Sequence, residues 1–124
     1  MRKKVLVVDD NANNLLLEKD LLEVAGFEVF EAENAADGIA IALREKPDII
    51  IMDVRLPDML GTEAAKILRQ DKETSDIPII FVTASIIPAI EGVMEEAKSM
   101  TNSAFMGKPI NTRTFAKEIS QYLR

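Results

Sequence analysis

Five residues of this chain pair useful chemistry with a shared kind of position. Asp9 and Asp10 follow the apolar run Val5-Leu6-Val7-Val8, and Asp53 closes the run Ile49-Ile50-Ile51-Met52. Thr83 follows Ile77 to Val82, and Lys108 comes shortly after Ala104-Phe105-Met106. If those runs are strands of one parallel sheet, all five groups reach its carboxyl end, the rim where such sheets gather reactive groups. Three carboxylates brought within a few ångströms repel one another, and a hard divalent cation offsets that repulsion. Mg2+ fits the donor set: it takes a few carboxylate or carbonyl oxygens and keeps several waters, which leaves room for a phosphate oxygen. Lys108 would add a mobile positive charge for a phosphoryl oxygen, and Thr83 a neutral hydrogen-bond donor. The set suits phosphoryl transfer onto a carboxylate, in which metal and lysine neutralise the equatorial oxygens while an aspartate attacks in line.

Composition removes most rivals. The chain has no histidine and no cysteine, so Ser-His-Asp hydrolysis, histidine phosphocarriers, thiolate or imidazole metal sites and disulfides are excluded. Fifteen basic residues against twenty-one acidic ones give a net charge of -6, which repels phosphate backbones; no direct contact with nucleic acid is expected. The longest apolar runs are about half a dozen residues, far short of the ~20 that cross a bilayer. The run that begins at Val5 stops at Asp9 and Asp10 before it could form a signal-peptide core. A cytoplasmic domain without membrane contact is expected.

Positioning those groups requires alternating elements. With 124 residues, 48% of them apolar, the chain is expected to fold as one domain over 1–124, burying roughly two-thirds of its unfolded surface. Strands are read at Lys4 to Val8, Phe27 to Ala32, Asp48 to Asp53, Ile77 to Val82 and Ala104 to Met106. Asn11 would cap a helix with Leu17, Leu21 and Val24 inward, ended by Gly26. Asn34 would cap a second, with Ala36, Ile39, Ala40 and Leu43 as its apolar stripe and Pro47 after it. A third spans Glu63 to Gln70 with Ala64, Ile67 and Leu68 inward. A fourth runs from Pro88 to Met100, and Asn111 would cap a fifth with Phe115, Ile119 and Tyr122 inward. Five strands alternating with five helices give an α/β domain, a doubly wound parallel sheet with helices on both faces. Asp20, Asp37, Asp48, Asp58, Asp71 and Asp76 are assigned to surface, caps and turns.

Four segments together carry a family resemblance: V-L-V-V-D-D-N at 5–11, M-D-V-R-L-P-D-M-L-G at 52–61, F-V-T-A at 81–84 and A-F-M-G-K-P-I at 104–110. In order and spacing they resemble the response-regulator receiver domain of two-component signalling, over about residues 3 to 123. The resemblance implies the flavodoxin-like strand order 2-1-3-4-5. It implies that Asp53 is the phosphoacceptor, taking a phosphoryl group from a histidine kinase or histidine phosphotransfer protein. Asp10 and Asp53 would bind Mg2+ by carboxylates, Arg55 by its backbone carbonyl, and Asp9 would hold metal-bound water. Lys108 would pair with the phosphoryl group, Thr83 would move toward it, and Phe105 would change rotamer on activation. Lys108-Pro109 would be a cis peptide and Ala84 would leave the site open, while Arg55 and Ser85, near the phosphoryl group in this geometry, are candidates for setting the hydrolysis rate. Output would run through the face made by the fourth helix, fifth strand and fifth helix, to an effector or a second copy. Such a domain is no enzyme in the ordinary sense, beyond phosphorylating itself from phosphodonors and slowly hydrolysing the product.

Two alternatives are a receiver-fold binding module that signals without phosphate, and a flavin site. Intact Asp10, Asp53 and Lys108 argue against the first. The turn D-D-N-A-N-N, which lacks a phosphate-cradling glycine pattern, argues against the second. The chain also departs from the family. Asn102 stands near where receivers usually carry a glycine before the fifth strand, and Ser85-Ile86-Ile87-Pro88 is unusually apolar. Leu15 and Leu22, nearly opposite the expected core stripe of the first helix, are candidates for docking a partner helix.

Overall fold

The computed structural model describes residues 2–83, 102–107 and 110–123. Its strands are β1 (Lys4–Val8), β2 (Glu28–Ala32), β3 (Ile49–Asp53), β4 (Ile79–Thr83) and β5 (Ser103–Gly107). Among the described residues the helices are α1 (Ala12–Val24), α2 (Ala35–Glu45), α3 (Gly61–Gln70) and α4 (Phe115–Gln121). That makes four described helices where the sequence predicts five; the helix expected over 88–100 lies outside the described residues. The strands form one sheet in the order β2-β1-β3-β4-β5, and each pairing is parallel.

The β-branched runs explain the sheet. Val5 to Val8 and Ile49 to Met52 are each at most 1% exposed, as expected of central strands covered on both sides. Alternate residues feed two cores. On one face Leu6, Val8, Ile50, Met52, Ile79 and Phe81 pack with Ala35 and Ala42 of α2 and Ala64, Ala65 and Leu68 of α3. On the other, Val5, Val7, Ile49, Ile51, Ile80 and Val82 pack with Leu15 and Leu22 of α1 and Phe115 and Ile119 of α4. Each fully buried isoleucine or leucine contributes about 1.5–3 kcal/mol relative to exposure.

The helix faces bear out the sequence reading at Ala64 and Leu68 of α3 and at Phe115 and Ile119 of α4, and correct it elsewhere. In α1 the buried stripe is Leu15, Glu18 and Leu22, whereas Leu17 is 41% and Val24 90% exposed. Leu15 and Leu22 are therefore core residues and offer no docking surface. Leucines occupy two helical stripes here, and the glutamate within the true one hid it. In α2 the inward residues are Ala35, Gly38 and Ala42, with Ile39 and Ile41 flanking and Ala36, Ala40 and Leu43 on the solvent side. Small residues face in because α2 lies very close to β1: a Cβ on Gly38 would meet Val8 Cγ2 at 2.8 Å. Ile67 of α3 and Tyr122 just after α4 are likewise exposed, at 44% and 42%.

The predicted caps on the first two helices are present. Asn11 Oδ1 accepts from Asn14 N at 3.0 Å and Asn34 Oδ1 from Asp37 N at 2.8 Å. Lys46 ends α2 in the left-handed region, φ 47°. Asn111 differs from expectation. Its side chain accepts from Arg113 N and opens a turn, and Thr114 is the residue before α4. Asn102 takes the left-handed conformation that the family's glycine would supply, φ 57°, a geometry asparagine tolerates. No helix among the described residues is long and apolar enough to cross a membrane.

Candidate functional site

Parallel pairing places the ends of β1 and β3 side by side: Val8 aligns with Met52, so Asp9 and Asp53 are the next residues on adjacent strands. Asp9 is 2% exposed, and its N–H donates to Ala32 O at 3.0 Å, which carries the β1–β2 ladder one residue beyond the strand. Asp10 is exposed and Asp53 half-buried. One carboxylate oxygen from each of Asp9, Asp10 and Asp53 lies within 4.8 Å of the others. The acidic cluster expected from strand ends is thus assembled, and it is graded from the core outward.

Local donors orient it. Asp9 Oδ1 accepts from Asn11 N at 2.9 Å, and Asn14 Nδ2 reaches Asp9 Oδ2 at 3.5 Å. Asp53 Oδ1 accepts from Arg55 N at 3.2 Å, a bond that turns the chain back beside the carboxylate. The segment after β3 is then closed at its base. Val54 N donates to Val82 O at 3.2 Å, Gly61 N to Val54 O at 2.7 Å, and Arg55 bridges Leu60 in antiparallel fashion. Gly61 starts α3 directly against β3, where a Cβ would collide with the Asp53 carbonyl.

At the other strand ends the backbone of Thr83 closes β4 and pairs with Gly107 of β5. Phe105 is half-buried, and its ring centroid lies 5.5 Å from that of Phe81 on the paired strand. Lys108 and Pro109 lie outside the described residues, as do Ala84 and Ser85.

Two contributors escaped sequence reasoning. Gly61, which falls before the third helix expected from Glu63, is one: its missing side chain is what lets α3 approach Asp53. Asp58, grouped with the aspartates of surface, caps and turns, caps a helix it does not adjoin: its carboxylate accepts from Ala35 N at 2.8 Å and Ala36 N at 2.9 Å, at the start of α2. Those two backbone donors hold the Asp58 carboxyl below its ordinary pKa. A proline-flanked aspartate between two elements was the only available signal.

Three oxygen donors in one cluster, without nitrogen or sulfur, form a hard site that fits Mg2+ or Ca2+ and disfavours zinc and copper. A model of the response regulator receiver domain matches residues 5–120. The chain is 37% identical to the polar-differentiation response regulator DivK of Brucella anthropi, with 99% of this chain and 98% of DivK aligned. It superposes on the chemotaxis response regulator CheY4 of Vibrio cholerae with a TM-score of 0.88 at 30% identity, covering 99% of this chain and all of the other. A receiver domain protein of Methanospirillum hungatei gives a TM-score of 0.88 at 28% identity, with 98% and 93% covered. Strand order, the acidic cluster at the carboxyl rim and these matches agree, and the chain belongs to the response regulator receiver domain family.

Proposed function

We propose that this receiver accepts a phosphoryl group on Asp53 from a phosphohistidine of a kinase or phosphotransfer protein, with Mg2+ held at the cluster. The observation that carries the proposal is the meeting of Asp9, Asp10 and Asp53 within 4.8 Å at the end of adjacent buried strands. Asp53 is the acceptor because it ends β3 and is half-buried, so one oxygen is oriented by Arg55 N. An oxygen of Asp53 attacks phosphorus as the bond to the donor imidazole breaks, and that imidazole leaves with the electron pair and takes up a proton. Asp10 and Asp53 would hold Mg2+ by carboxylates and Arg55 by its carbonyl, with Asp9 holding a metal-bound water. When bound, the ion supplies positive charge against the phosphoryl oxygens. Lys108 is proposed to contribute a second positive charge there, and Thr83 a hydrogen bond.

The acyl phosphate formed would bias Thr83 and Phe105 between two arrangements and so change what the face around β5, α4 and residues 88–100 binds, an effector or a second copy. Packing of the half-buried Phe105 ring on Phe81, at the edge of the core, supports this reading. Residues 1–124 would act as one receiver domain in the cytoplasm, without nucleic acid or membrane contact of their own. Nothing in the described geometry favours the phosphate-free module, which has no use for three converging carboxylates.

Intact-protein mass spectrometry after incubation with acetyl phosphate tests the proposal. Wild type should gain about 80 Da, one phosphoryl group, with Mg2+ and not with chelator. Asp53→Ala should gain nothing. An adduct that persists in Asp53→Ala, or that ignores chelation, contradicts it.

A further inference from the structure

Asp58 lies at the tip of the short loop that joins β3 to α3. Its two carboxylate oxygens divide between successive backbone donors of a different element, Ala35 N and Ala36 N, 23 and 22 residues away in sequence. The first N–H groups of a helix have no partners within it, and Asn34 Oδ1 supplies one only to Asp37 N. Asp58 therefore completes the cap of α2 from outside, with charge of the favourable sign for a helix N-terminus.

The consequence reaches the acidic cluster through a closed circuit of contacts. α2 is pressed on β1 at Gly38, with no room for a Cβ against Val8, and Val8 immediately precedes Asp9 and Asp10. The loop that carries Asp58 also carries Arg55. Its base is closed on itself by the Arg55–Leu60 bridge and the Gly61 N to Val54 O bond, and is fastened to β4 by Val54 N to Val82 O. A base alone leaves the tip free to swing, and a swing would twist the peptides at the two ends of the bridge, Arg55 among them. Tied to α2, the tip is referenced to β1, the strand that ends at Asp9 and Asp10.

We propose that Asp58 is a positioning residue that sets the Arg55 backbone against the Asp9–Asp10–Asp53 cluster by clamping the β3–α3 loop to the start of α2, so that Mg2+ meets a pre-arranged set of oxygens. The inference rests on the Mg2+ reading above and adds a determinant of affinity outside the cluster.

Calorimetric titration with MgCl2 tests it in wild type, Asp58→Ala and Asp58→Asn, with Asn34→Ala as the control and urea unfolding in chelator alongside. Asn34→Ala removes a cap from the same helix without releasing the loop, so it reports what capping alone does. The dissociation constant should rise about tenfold in Asp58→Ala and change less than about twofold in Asn34→Ala, although both variants lose stability. Asp58→Asn, which keeps one acceptor oxygen and folds if the alanine variant does not, should fall between. Wild-type affinity in both Asp58 variants overturns the clamp and leaves the Mg2+ reading intact. Equal weakening in Asp58→Ala and Asn34→Ala reduces Asp58 to a helix cap and also overturns it. A wild type that takes up no Mg2+ overturns both readings.

Discussion

At the amino end of the sheet, polar side chains meet partners from neighbouring elements. Asp48 Oδ2 accepts from Lys4 N at 2.7 Å, the Arg69 guanidinium spans the carbonyls of Ile77 at 2.7 Å and Asn102 at 3.3 Å, and buried Thr74 donates to Leu68 O at 2.6 Å. At the carboxyl end three carboxylates instead converge on one another. Helix α3 joins the two regions, with Gly61 against Asp53 at one end and Arg69 at the other. One end of the fold closes the domain by opposite partners. The other gathers like charge that an added cation would offset, so stability and function are held at opposite ends of the same helix.

Breaking either end should have distinct signatures. The largest effect is expected from Gly61→Ala, whose Cβ meets backbone rather than a movable side chain. It should lose about 3 kcal/mol in urea unfolding, an overpacking cost, and weaken Mg2+ binding because the Asp53 carbonyl must shift. Arg69→Met should cost about 1–2 kcal/mol by stripping donors from the two carbonyls it spans, with Mg2+ affinity unchanged. Asp10→Asn should do the reverse. It should raise the metal-free unfolding free energy by about 1 kcal/mol, the scale of one like-charge pair near 4 Å in water, while Mg2+ affinity falls.

The smallest effect is one of pH. Asp58 is held below its ordinary pKa by Ala35 N and Ala36 N, so its unfolded pKa is the higher of the two. Its contribution is present above the unfolded value and is lost as pH falls through the depressed folded value. Asp58→Asn should therefore flatten the acid limb of stability against pH, measured by denaturation in chelator, and leave the neutral region parallel to wild type.

These contrasts also mark what a sequence can disclose. Strands 4–8 and 49–53 were legible because a run buried on both faces has to be apolar throughout, and the acidic cluster followed because aspartates ended those runs. Helix faces were legible only in part: Ala64, Leu68, Phe115 and Ile119 turn inward as read, but α1 and α2 depart from the reading. Leu15, Glu18 and Leu22 compete with Leu17, Leu21 and Val24 on the same helix, and only the sheet decides between them. In α2 the alanines and Gly38 turn inward because a backbone must come close to Val8, which reverses the usual weighting by side-chain size. Asp58 and Gly61 act on groups in other elements, and no local pattern encodes that. The four family motifs pointed to the site more securely than periodicity did, since they fix positions by chemistry rather than by burial.

The most direct test of the central claim is to locate the phosphoryl group. Wild-type protein phosphorylated by acetyl phosphate with Mg2+ is treated with borohydride, which reduces an aspartyl phosphate to homoserine, and the peptides are sequenced by mass spectrometry. Homoserine at position 53 alone is the predicted result. Homoserine at position 9 or 10, or an adduct on a residue other than aspartate, would contradict the account.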